Sequence, residues 1–142
     1  MGRAIAVILL VAGALLAASC GGDNDATGQA DANRTNGKAL FASTCGSCHT
    51  LLDAGTAGTT GPNLDQALGY SCAQGFDETT IYSNVRGQID LAAGVMPPDL
   101  VTGQDAVDVA AYVASVAGKD VPGCDPSGDQ GGGSTGATET TD

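Results

Sequence analysis

A chain of 142 residues with 5 cysteines, 1 histidine and no tryptophan has room for one small domain, and its net charge of −11 argues against a nucleic-acid partner. With only 2 Phe and 3 Tyr as large aromatic residues, a core built from its own side chains is thin.

In chain order, Arg3 precedes the apolar run Ala4 to Ala18, which is too short for a comfortable membrane span, and residues 1–19 read as an export signal. The run ends at Leu16-Ala17-Ala18-Ser19-Cys20, which looks like a bacterial lipoprotein processing site that leaves Cys20 as the lipidated first residue, although Ala17 stands where Leu is commoner. Cleavage without a lipid and an uncleaved anchor are the alternatives. Residues 20–35 read as a flexible polar tether. The expected location is the extracytoplasmic face of the bacterial cell membrane, with a lipid as anchor.

Thr35 or Asn36 can cap a first helix that runs through Lys38, Ala39, Leu40 and Phe41. It leads into Cys45-Gly46-Ser47-Cys48-His49, the Cys-x-x-Cys-His attachment signature of c-type haem. On one helical turn the two thiols reach neighbouring edges of a single macrocycle, and the histidine beside them points at its iron. A thioredoxin-like thiol pair is the alternative. Half of a zinc site fails on ligand count, because the chain has 1 histidine and no second thiol pair of this spacing. One covalent haem c is therefore the expected cofactor, and it would be the largest apolar body of the core.

A further helix is expected from about Asp77 to Arg86, with Ile81, Tyr82 and Val85 facing inward. Met96 is the only methionine beyond the leader; Gly94-Val95 and Pro97-Pro98 hold it in a segment that cannot be helical. The last helix starts at Thr102, with Asp105 in a capping-box-like position. Ala106, Val109, Ala110, Val113, Val116 and Ala117 fall at helical spacing, and Gly118 stops the helix. Residues 123–142 are rich in Gly, Ser, Thr and acids without apolar periodicity, and read as a disordered tail.

Gly37-Lys38-Ala39-Leu40-Phe41, the haem motif, Gly61-Pro62-Asn63-Leu64, Val95-Met96-Pro97-Pro98 and Val109-Ala110-Ala111-Tyr112-Val113 follow one another at the approximate spacing of a known family. From Asn36 to about Val121 the chain resembles the class I cytochromes c, small electron carriers with a single haem. The resemblance implies an all-α domain over residues 36–122, wrapped around that haem. It implies that the terminal helices cross closely, with Gly37 allowing the approach and Phe41 packing near Tyr112. It also implies that the carbonyl of Pro62 accepts the second ring N–H of His49, and that Met96 is the thioether ligand. A plain turn at Gly61-Pro62-Asn63 is compatible with that role. A five-coordinate or Lys-ligated iron is the alternative to Met96.

With Cys20 assigned to lipid and Cys45 and Cys48 to haem, Cys72 and Cys124 are left over. In an oxidising compartment they suggest a disulfide, two independent thiols being the alternative. The function expected is one-electron transfer between redox proteins, not catalysis. The domain carries 9 acids against Lys38, Arg86 and Lys119, so a partner with a basic docking surface would be complementary, while a merely solvated acidic face is the plainer reading. The competing readings are a haem subunit of a membrane-associated dehydrogenase or oxidase complex, a peroxidase-like enzyme and a ligand-binding haem sensor. Enzyme and sensor both need an open or labile iron position.

Overall fold

The computed structural model describes residues 26–92 and 94–124. The expected leader, Cys20 and the stretch 125–142 of the expected tail lie outside the described residues. The elements are α1 (Ala26–Ala30), α2 (Arg34–Leu40), a π-helical turn (Phe41–Cys45), strands β1 (Thr50–Leu51) and β2 (Thr56–Ala57), then α3 (Leu64–Ala73), α4 (Glu78–Leu91) and α5 (Gly103–Val116). The architecture is all-α apart from one short hairpin, in which Thr50 pairs with Ala57 and Leu51 with Thr56.

The centre of the fold is the crossing of α2 and α5. A Cβ added to Gly37 would lie 2.1 Å from the Asp108 carbonyl oxygen and 2.9 Å from the Tyr112 Cβ, so the two backbones touch where only hydrogen can fit. One turn further along, the rings of Phe41 and Tyr112 meet edge to face at 6.2 Å. α5 is buried along most of its surface, including all six apolar positions expected to face inward. Asp108 shares that burial. Its Oδ1 accepts from the Asn33 N–H at 2.9 Å and from Gln104 Nε2 at 2.9 Å, and its Oδ2 from Asn36 Nδ2 at 2.9 Å. Burial pushes this carboxyl up, but those hydrogen bonds outweigh it and hold it below the usual carboxylate range.

That network moves the start of α2. The cap is Asn33, whose side chain accepts from the Asn36 N–H at 3.0 Å, and not Thr35 or Asn36. It also replaces the capping box expected on α5: Thr102 occupies the cap position without a side-chain bond, and Asp105 accepts from Asn36 at 3.2 Å instead. Gly118, with φ of 77°, follows the end of that helix.

The expected tether also differs. Residues 26–30 are helical, and Gln29 Nε2 donates to Glu78 Oε1 at 2.8 Å, which fastens α1 to the start of α4; Arg34 pairs with the same carboxylate. α4 begins at its Asp77 cap and continues five residues past Arg86 to Leu91, because Ile89 is buried and Gly87 does not interrupt the helix. α3 was not anticipated, although Leu64, Leu68 and Cys72 recur every four residues behind the Asn63 cap. Cys72 of α3 and Cys124 beyond α5 are joined, with Cα atoms 5.0 Å apart. Beside them Gly69 and Gly118 are in backbone contact, since a Cβ on Gly118 would lie 2.2 Å from the Gly69 Cα.

Gly37→Ala forces α2 and α5 apart. Overpacking of this kind costs about 1–3 kcal/mol, and chemical denaturation should show a lowered midpoint with the slope unchanged.

Candidate functional site

The haem motif begins where α2 widens into its final, π-helical turn. The Gly46 N–H donates to the Phe41 carbonyl at 2.8 Å, a bond five residues long, and the Cys45 carbonyl then accepts from both Cys48 N–H and His49 N–H at 3.0 Å. Phe41, held by Tyr112 of α5, is therefore the anchor that fixes where the motif starts. Cys45 is buried, Cys48 and His49 are half-buried, and both motif thiols are free.

The segment after the hairpin encloses the other side of His49. The Gly61 N–H donates to the Cys48 carbonyl at 2.8 Å. The imidazole packs on the Gly61 Cα so closely that an added Cβ would lie 2.5 Å from Cε1, 2.8 Å from Nδ1 and 2.9 Å from Nε2. Gly58 approaches the Cys48–His49 peptide in the same way, with an added Cβ 2.5 Å from the Cys48 carbonyl carbon. The Pro62 carbonyl oxygen lies 2.9 Å from His49 Nδ1. An Nδ1–H donated there leaves Nε2 as the lone-pair nitrogen, the state a metal ligand needs. Cys45, Cys48, His49 and Pro62 thus form one group. Met96 is on the loop after α4, half-buried and packed against the core, between Gly94 with φ of 66° and Asp99 with φ of 54°. The Asp99 N–H donates to the Ile89 carbonyl at 3.3 Å, which ties that loop back to α4.

Burial, and then the neighbouring Cys48, push the Cys45 thiol up to about 11. A thioredoxin-like nucleophile needs the opposite shift, so the electrostatics disfavour that alternative. The residues present fit a haem: two free thiols and a pre-oriented imidazole within one turn, in a fold that leaves Leu52, Tyr70, Phe76, Leu91, Val95 and Leu100 exposed while half of its buried apolar residues are Ala or Val.

Asp53 is a structural residue that the sequence did not single out. It accepts from Tyr112 Oη at 2.8 Å and from Lys38 Nζ at 3.0 Å, joining the hairpin to both crossing helices. The bond from Tyr112, and then the one from Lys38, hold its carboxyl below the usual range. Burial and the same bond raise the Tyr112 hydroxyl. A lone Asp in a loop carries no signal of such long-range partners.

The family model described as Cytochrome c matches residues 35–117, more than half of the chain, and the protein belongs to that family. Its cofactor is accordingly covalently attached haem c, and its class is that of haem-based electron-transfer proteins. No curated protein and no solved structure matches the chain.

Gly61→Ala drives a methyl group against the His49 ring. The ring must turn off the Pro62 carbonyl, so the purified variant should lose about 1–3 kcal/mol of stability by denaturation followed at the main haem absorption band.

Proposed function

We propose that this protein is a one-electron carrier outside the cytoplasmic membrane, with haem joined through Cys45 and Cys48 and iron held by His49 and Met96. The observation that carries the reading is the 2.9 Å contact of His49 Nδ1 with the Pro62 carbonyl, which commits Nδ1 as donor and leaves Nε2 as the nitrogen with a lone pair for iron. Met96 enters by elimination: the chain has 1 histidine and no other methionine beyond the leader. Bound haem supplies the reversible one-electron couple, and a thioether ligand favours its reduced form. The protein's part is to hold His49 in one orientation, keep Met96 on a loop braced by Pro97 and Pro98, and bury Cys45 away from water. An acidic surface suits a redox partner with a basic docking face.

We also propose that residues 1–19 are removed and that Cys20 carries lipid. The described residues start at Ala26, already in α1, so at most residues 21–25 separate the anchor from the fold, a reach of no more than about 18 Å. The domain then works close to the membrane surface, where its partners are membrane-bound or confined near it. Export also favours a lasting Cys72–Cys124 disulfide, which closes a separation of 52 residues and adds about 4 kcal/mol by the chain-entropy model.

The competing sensor and peroxidase-like readings require an open sixth position, and carbon monoxide tests this. Wild-type ferrous protein should bind it poorly at neutral pH, while Met96→Ala should bind it fully and show a lower reduction potential. Rapid, complete binding by the wild type would return Met96 to the packing residues. Sequencing of the mature N-terminus tests the anchor: a blocked, lipid-bearing Cys20 is expected, and a free terminus at any other residue would refute it.

A further inference from the structure

Thr56 lies in β2, and its hydroxyl binds the backbone of the ligand turn. Oγ1 donates to the His49 carbonyl at 2.9 Å and accepts from the Leu51 N–H at 3.0 Å; the Leu51 carbonyl, at 3.4 Å, is a poorer second acceptor. The other branch of the same side chain covers Gly46, where an added Cβ would lie 2.4 Å from Thr56 Cγ2. One residue therefore touches the turn at both ends: the glycine between the thiols and the carbonyl of the histidine. Valine has the same shape and suits a strand at least as well, so what the hydroxyl adds is its two hydrogen bonds, one within the hairpin from the Leu51 N–H and one out of it to the His49 carbonyl.

We infer that Thr56 is a positioning residue for His49: its hydroxyl fixes the histidine main chain while Gly61 and Pro62 fix the ring, so the imidazole has one orientation available. The inference rests on the reading of His49 as an iron ligand. Its physical basis is short. The ring is connected to its backbone by two torsions, and a displacement of the His49 main chain carries Nδ1 off the Pro62 oxygen 2.9 Å away. A weaker Nδ1–H bond makes the imidazole a poorer donor, which disfavours the oxidised iron and raises the potential.

The test compares full-length, haem-bearing wild type, Thr56→Val and Thr56→Ser. Valine keeps the shape and removes both hydrogen bonds, whereas serine keeps the hydroxyl and loses the methyl. In the ferric wild type the His49 ring protons should show large paramagnetic NMR shifts; ordinary shifts would remove the ligand reading and this inference with it. With those shifts present, Thr56→Val should exchange the His49 Nδ1–H with solvent about tenfold faster, the loss expected for one net hydrogen bond. Its reduction potential should also rise, and Thr56→Ser should match the wild type in both. A Thr56→Val protein that is less stable yet unchanged in exchange and potential overturns the inference alone, leaving Thr56 as hairpin packing. If Thr56→Val does not mature, Thr56→Ala also lacks the hydroxyl and takes its place with the same two outcomes.

Discussion

The hydrogen bond between His49 Nδ1 and the Pro62 carbonyl is the contact on which the rest of the site depends. A free imidazole has two equivalent-looking nitrogens, and only one can face a metal when the other is committed. Proline suits the accepting position because it has no N–H of its own and holds its backbone direction. Gly61, immediately before it, lets the carbonyl come within reach, since any side chain there would collide with the ring. The Gly61 N–H in turn holds the Cys48 carbonyl. The His49 ring, the motif and the covering segment are thus held by backbone atoms, which move less than side chains do.

That arrangement is anchored by the helix crossing on its far side. Phe41 starts the turn that ends in the motif, and its ring is set against Tyr112 of α5. Tyr112 also binds Asp53, so the hairpin after the motif is tied to the same helix. Gly37 brings the two helices into backbone contact, and Asp108 seals the crossing with hydrogen bonds to the cap of α2. With Ala and Val making up half of the buried apolar residues, these directed contacts do what bulk hydrophobic volume does in larger domains. A covalent haem completes that economy by contributing apolar area and removing chain freedom at once.

The parts legible in the sequence were those whose signal is local. Cys45, Cys48 and His49 carry their chemistry in their spacing, and α5 declares itself through six apolar positions at helical period before Gly118. Gly37 and the Phe41–Tyr112 contact were legible only through the family resemblance, and the structure places them as that resemblance implies. What escaped depends on distant partners. Asn33 became the cap of α2 because Asp108, 75 residues away, takes its N–H, and the same carboxylate drew Asn36 away from capping. Residues 26–30 looked like tether because their composition is polar and small; Glu78 on α4 supplies the hydrogen bond that fastens them. Thr56 sits in a run of Gly and Thr that reads as loop, and only the folded hairpin brings its hydroxyl to the His49 carbonyl.

If haem is bound to this chain through both Cys45 and Cys48, intact-mass measurement shows it. Protein made with an active haem-attachment system should carry the mass of one haem that survives denaturation in acid and organic solvent. Cys45→Ala and Cys48→Ala should each retain at most a single thioether. A wild-type protein whose haem extracts freely under those conditions would show that neither cysteine holds it.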